Sequence, residues 1–173
     1  MSANSDTPNN TQTNLKTAFS GESQANRKYL AYAYKAEQEG FPQVARLFKA
    51  AADAETIHAM SHLRNLGGIK STLENLKDAV AGENYEATEM YPPMVDQAIK
   101  EGHKAKVGLS YALEAEKIHA TLYQLALDAV KTGKDLSAME IYICPTCGDI
   151  EFGRPTDVCH ICGAAPEKYK LVA

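Results

Sequence analysis

Apolar residues recur at intervals of three and four along this chain as far as Lys131, and beyond it the pattern shortens to that of strands and turns. From Leu15 to Glu39, Ala, Tyr and Leu keep the helical spacing, with no Gly or Pro after Gly21, which predicts a first long helix. Gly40-Phe41-Pro42 ends it and opens a second helix that runs to about Leu66, where Gly67-Gly68 closes it. The turn between them is short, so the two helices should be antiparallel neighbours. Ser71-Thr72-Leu73-Glu74 has the form of a capping box and opens a short helix through Val80, after which Gly82 breaks or bends the chain. A third long helix is expected over Glu83 to Glu101 and a fourth over Lys104 to Lys131, closed by Gly102 and Gly133. The segment 67–82 then joins two helical hairpins and has the length to cross a bundle. Pro92-Pro93 removes backbone donors inside the third helix and predicts a kink or bulge there.

One short pattern occurs twice in this helical frame. Ala54-Glu55-Thr56-Ile57-His58-Ala59 returns as Ala115-Glu116-Lys117-Ile118-His119-Ala120, 61 residues later. Positions i and i+3 share a helix face, so each copy presents a carboxylate and an imidazole together. A lone Glu-x-x-His is ordinarily a solvated pair. Two matched copies within apolar stripes, each preceded by a Glu-bearing helix, form the ligand pattern of a di-iron or di-manganese carboxylate bundle of the ferritin-like class. The fold class expected is therefore an all-α four-helix bundle, its halves related by a pseudo-twofold axis with the metals between them. Glu22 supplies the first helix, Glu55 with His58 the second, Glu86 the third, and Glu116 with His119 the fourth. Glu89 follows Glu86 by one turn and has no counterpart, since Ala25 lies three residues after Glu22, so the two metals should differ in environment. Carboxylate and imidazole suit iron in both its common oxidation states. Asp53 and Glu114 lie about 200° around their helices from the ligands and should face solvent. Tyr29, two turns beyond Glu22, is a candidate hydrogen-bond donor to a ligand carboxylate, with an ordinary core position as its alternative.

The last thirty-odd residues carry different chemistry. Ile141-Tyr142-Ile143 reads as a strand entering the knuckle Cys144-Pro145-Thr146-Cys147-Gly148, and Cys159-His160-Ile161-Cys162-Gly163 is a second knuckle. Four thiolates at these spacings make a tetrahedral sulfur site for iron or zinc. So short a segment buries little core, and the metal is expected to hold its fold.

Composition narrows the function classes. The chain has 173 residues and a formal net charge of −4, which favours neither nucleic acid nor an anionic membrane surface. No apolar run reaches the length of a membrane span. Met1 to Thr13 is polar and lacks the apolar stretch of a secretory signal, so a disordered tail (1–13) and a cytoplasmic location are expected. The domain expectation is a bundle over 14–135 and a cysteine module over 140–173.

With these motifs, and with Gly21-Glu22-Ser23-Gln24-Ala25 and the run from Gly82 to Pro92, the chain resembles the rubrerythrin family over nearly everything from Leu15 to Ala173. The resemblance implies a ferritin-like bundle with a non-haem di-iron site on Glu22, Glu55, His58, Glu86, Glu89, Glu116 and His119. It also implies a C-terminal rubredoxin-like centre with one iron on Cys144, Cys147, Cys159 and Cys162. His160 departs from the family, whose second knuckle often has Pro, and this leaves zinc open in the cysteine site. The activity implied is a peroxidase that reduces hydrogen peroxide to water in oxidative-stress defence. Its electrons would come from an external donor, a rubredoxin or an NAD(P)H-dependent reductase, through the cysteine centre. The alternative is a ferroxidase or iron-handling protein with a structural zinc site. The resemblance further implies a homodimer or higher homo-oligomer. The linker from about Thr132 to Glu140 is short, so the cysteine module is expected beside the partner subunit's di-iron site and not its own.

Overall fold

The computed structural model describes residues 10–172, and the N-terminal tail up to residue 9 lies outside the described residues. The chain divides into two compact units, Met1–Lys70 and Ser71–Ala173.

The first unit is a helical hairpin. Helix α1 spans Thr11–Gln38, so residues 11–13 are helical and not tail; Asn10 caps the helix by accepting from the Thr13 N–H at 2.9 Å. Helix α2 spans Pro42–Asn65, with Pro42 at its first turn, where a missing N–H costs nothing. Gly40 makes the reversal at φ +82, a conformation that favours glycine. The buried side chains of the two helices are all alanines, Ala33, Ala36, Ala45, Ala52 and Ala59. Small residues let the two backbones approach closely. Asn26 ties the pair by donating to the Ala52 carbonyl at 2.7 Å and to Thr56 Oγ1 at 2.8 Å.

The second unit begins at a complete capping box, with Ser71 accepting from the Glu74 N–H and Glu74 reaching back to Ser71. Helix α3 (Thr72–Tyr85) does not stop at Val80 or break at Gly82. It passes into a π-helical turn, Glu86–Met90, and then into α4, Tyr91–Lys100. The expected short helix and third long helix are therefore one continuous rod. The distortion expected from Pro92-Pro93 takes the form of this π turn, closed by an i→i−5 bond from the Tyr91 N–H to the Glu86 carbonyl. The prolines fall at the start of α4, where they break no ladder. Helix α5 spans Lys106–Lys131 and packs against α3, the π turn and α4.

The π turn leaves a trace in the sequence. Glu22 and Glu83, Glu55 and Glu116, and His58 and His119 are each 61 residues apart, as are the helix starts Thr11 and Thr72. Beyond the turn the buried pair Ala36 and Ala98, and the helix-ending pair Gly40 and Gly102, are 62 apart. One residue has been inserted at the π turn of the second half, as such a turn requires, and the offset is back to 61 by Glu116.

The C-terminal module is a three-stranded antiparallel sheet of order β2-β1-β3, with β1 at Ile141–Ile143, β2 at Ile150–Phe152 and β3 at Lys170–Leu171. Its core is Cys144, Cys159, Ala164 and Tyr169. Thus the chain is mostly helical, with a small sheet built around four cysteines.

Candidate metal centres

The helices of each unit gather one triad of two glutamates and a histidine. In the first, Glu22 from α1 meets Glu55 and His58 from α2; in the second, Glu83 from α3 meets Glu116 and His119 from α5. Within each triad the ligand atoms lie within 4.8 Å of one another. The Glu-x-x-His spacing does what helix geometry dictates, with His58 Nδ1 2.9 Å from Glu55 Oε2 and His119 Nδ1 2.7 Å from Glu116 Oε2.

The carboxylate that joins the second triad is Glu83, one turn before the expected Glu86. The 61-residue repeat carries that signal, since Glu83 and not Glu86 is the counterpart of Glu22. Glu86 opens the π turn, half-buried and close enough to raise the Glu83 pKa, and it takes the place of Ala25 as the unmatched carboxylate. Glu89 is exposed and lies outside the triad. Burial, a hydrogen bond to Glu116 and the charge of Glu116 push the Glu83 pKa up to about 7. Two carboxyls this close hold a proton between them until a cation replaces it.

Tyr29 packs its ring against Phe48 and Tyr32, with centroids 6.1 and 6.2 Å away. The tyrosine at the acidic cluster is Tyr91, which sequence reasoning passed over; burial and the charges of Glu116, Glu86 and Glu83 raise its pKa. It stands 62 residues after Tyr29, its counterpart once the inserted residue is counted. Asp53 and Glu114 are exposed, and Glu114 pairs with Lys117 at 2.7 Å.

His119 has a second partner. Its Nε2–H donates to the Gly148 carbonyl at 2.9 Å. This fixes the tautomer that leaves Nδ1 as the lone-pair nitrogen facing Glu116, as a metal-binding imidazole requires. A lone pair and a carboxylate oxygen 2.7 Å apart repel unless a proton or metal cation sits between them, so the triad fits a metal. His58 has the same geometry toward Glu55, but its side chain is 55% exposed against 17% for His119.

Gly148 belongs to the first cysteine knuckle, so the module touches His119 of its own chain, which the linker length was expected to prevent. The physical reason is reach. His119 lies about 18 Å before the end of α5, and nine extended residues span about 30 Å. The linker folds back, and Leu136, Ile141, Ile150 and Phe152 line a cavity of about 190 Å³ with Leu76, Leu122, Tyr123 and Ala126.

The four sulfurs also lie within 4.8 Å of one another, with Cys144–Cys162 at 3.6 Å and Cys147–Cys159 at 3.5 Å. A tetrahedron with metal–sulfur bonds of about 2.3 Å has edges of about 3.8 Å, so the set fits a single ion. Burial opposes a charge on Cys144, but the N–H groups of Thr146 and Cys147 outweigh it and lower its pKa. Burial raises the pKa of Cys147 and of Cys162. Beneath them Asp149 is fully buried, its Oδ2 accepting from Tyr169 Oη at 2.7 Å and lying 3.5 Å from Cys159 Sγ, while Oδ1 has no partner. Neither Asp149 nor Tyr169 stands out in the sequence. His160 is an exposed side chain 3.8 Å from Asp149.

Comparison with known proteins decides the family. The rubrerythrin family model matches residues 13–127. The chain belongs to the rubrerythrin family. It is 37% identical to rubrerythrin-2 of Clostridium acetobutylicum, over 90% of this chain and 93% of that protein. It is 35% identical to nigerythrin of Nitratidesulfovibrio vulgaris, over 86% and 80% of the two chains. A solved nigerythrin structure, fully reduced and all ferrous, covers 99% of this chain and 92% of its own at TM-score 0.56 and 32% identity. The fold is thus that of a ferritin-like helical protein with a rubredoxin-like module, and iron is the cofactor that the acidic triads and the four cysteines serve. No described helix is long and apolar enough to cross a membrane.

Proposed function

We propose that this member of the rubrerythrin family is a peroxidase that reduces hydrogen peroxide to two waters, with two electrons drawn from an external redox donor through the cysteine module and two protons taken up. The observation that carries the reading is the 2.9 Å hydrogen bond from His119 to Gly148, which links the cysteine knuckle to a ligand of the acidic site by one hydrogen bond and a few covalent bonds. A ferroxidase draws electrons from its own iron substrate and has no use for such an inbound link.

Bound iron supplies what the side chains lack, one-electron exchange at the sulfur site and a pair of electrons at the carboxylate site to match the two that O–O cleavage consumes. The side chains do the rest. Glu22, Glu55, His58, Glu83, Glu116 and His119 hold the di-iron site, and Glu86 is the additional carboxylate on one side. Cys144, Cys147, Cys159 and Cys162 hold the single iron. The Nε2–H bond to Gly148 keeps the His119 ring oriented. Tyr91 keeps its phenolic proton at neutral pH and can lend it to a departing oxygen. A homodimer, a cytoplasmic location and a role in oxidative-stress defence belong to the same reading.

The test is steady-state peroxide loss under exclusion of oxygen, with a reduced rubredoxin as donor. The reading expects turnover in the native protein and a fall of at least about a hundredfold in Cys144→Ser. Equal turnover in both, or rapid oxidation of added ferrous iron with no peroxide loss, contradicts it.

A further inference from the structure

We propose that the cysteine module has a second cation site, in which Asp149, Glu151 and His160 bind one divalent transition-metal ion beside the four sulfurs. Asp149 follows the first knuckle and immediately precedes β2, on which Glu151 lies. Side chains two apart along a strand share a face, so the two carboxylates are presented together. His160 comes to them from the second knuckle. One donor atom from each of the three lies within 4.8 Å of the others.

The hydrogen bonds leave this group short of positive charge. Asp149 is fully buried, and its Oδ1 has no partner. A buried carboxylate oxygen without a partner is costly, and a bound cation offsets that cost. Tyr169 has one hydroxyl proton for two carboxylates, with Asp149 Oδ2 at 2.7 Å and Glu151 Oε1 at 3.4 Å. The remaining donor is Cys159 Sγ, 3.5 Å from Asp149 Oδ2. Once a metal holds the four sulfurs, Cys159 is a thiolate and has no proton to give. Two carboxylates then share one phenolic proton beside a cluster of thiolates. A single added proton would satisfy one oxygen, whereas a cation engages both carboxylates and the imidazole at once.

The site has an entrance and a donor set that selects its ion. Asp149 forms the floor, and the His160 side chain, 64% exposed, opens on solvent. Two carboxylate oxygens and one imidazole nitrogen, without sulfur, suit manganese or ferrous iron. Bonds of about 2.1 Å set neighbouring donors about 3.0–3.4 Å apart. His160 Nδ1 is 3.8 Å from Asp149 Oδ2, so a small swing of an exposed ring closes the site. An ion on Asp149 Oδ2 lies within about 6 Å of Cys159 Sγ. Its charge favours the reduced, more negative form of an iron held by the sulfurs and so raises that centre's reduction potential.

The experiment titrates Mn2+ into the whole iron-loaded chain and counts free Mn2+ by electron spin resonance. Manganese is the probe because it competes poorly for sites that iron already holds. The native protein should bind one ion per chain that Glu151→Gln and His160→Ala each hold more weakly by about tenfold or more. Neither residue is a ligand of the cysteine site, so metal content at the cysteines checks that the module is folded in both variants. Manganese entering an incompletely loaded bundle is common to all three proteins and cancels in the difference, so the result does not depend on the function proposed above. Equal binding in the three overturns the site. Added Mn2+ should also raise the reduction potential of the cysteine centre in the native protein and leave it unmoved in both variants. A potential that moves in all three, or in none, overturns the placement beside the sulfurs. Where zinc fills the cysteines, the count alone decides.

Discussion

The two acidic triads have the same three residues at the same helical spacing, yet their surroundings differ. The first is built on a plain hairpin, with His58 largely exposed. The second has a π turn, an additional carboxylate at Glu86, Tyr91 nearby, and a histidine anchored on the backbone of the cysteine module. A repeated motif thus sets where carboxylates and imidazole meet, and departures from the repeat set the surroundings of each triad. Inserting one residue at the π turn is the economical way to create such a difference, because it re-aims the side chains of the same helix beyond it, from Tyr91 on, while leaving Glu83 before it in register.

The largest effect expected from breaking this comparison is in the cysteine module. Cys159→Ser removes a buried ligand, and the segment from Ile141 to Leu171 should lose its sheet along with its metal while α1 to α5 remain. Metal analysis and loss of amide-exchange protection confined to that segment check it. Next come the carboxylates of the second triad. Glu83→Ala should abolish tight binding at one bundle metal, Glu86→Ala should weaken it by about 10–100-fold, and Glu89→Ala should leave it unchanged, as read by metal titration. A ranking with Glu89 above Glu83 would return the site to the arrangement expected from sequence.

Smaller effects follow from single hydrogen bonds. Tyr169→Phe strips Asp149 of its hydroxyl donor and leaves both carboxylate oxygens of a fully buried side chain short of partners. The cost should be about 1–3 kcal/mol of module stability, measured by denaturant unfolding with metal bound. Smallest is a pH effect. The Glu83 pKa is raised in the folded metal-free protein to about 7, so the folded state holds a proton that the unfolded chain releases. The stability of the metal-free protein should therefore decline as pH rises from about 4.5 to about 7. Metal binding near neutral pH should release that proton, measurable in weakly buffered solution.

Much of this was legible in the chain. The 3.6-residue period placed the long helices, and the paired Glu-x-x-His and Cys-x-x-Cys motifs picked out four of the six side chains that meet in the helical triads and all four sulfurs. The π turn was not legible as such, because Pro92-Pro93 is compatible with a kink, a bulge or a break, and only tertiary packing selects among them. Glu83 was available from the 61-residue repeat, but the neighbouring Glu86 and Glu89 have the same spacing of three and obscured it. Gly82 suggested a helix break, yet a single glycine inside a helix costs only about 1 kcal/mol, and the capping box upstream overrode it. The His119–Gly148 bond and the Asp149–Tyr169 pair join residues 29 and 20 apart, and no local pattern announces either.

The central claim is that the second triad is the point where electrons enter, through the Gly148 carbonyl. Gly148 has φ +85, where an alanine costs about 1–2 kcal/mol but its Cβ meets nothing, so Gly148→Ala should shift the carbonyl and keep the module folded. The direct measurement reduces native and Gly148→Ala proteins without oxygen, mixes each with one equivalent of hydrogen peroxide, and follows the ferric-thiolate colour of the cysteine site. Fast colour in the native protein and colour slowed by about tenfold or more in Gly148→Ala is the predicted result. Equal rates in the two, or no colour in the native protein with iron in both sites, would contradict the account.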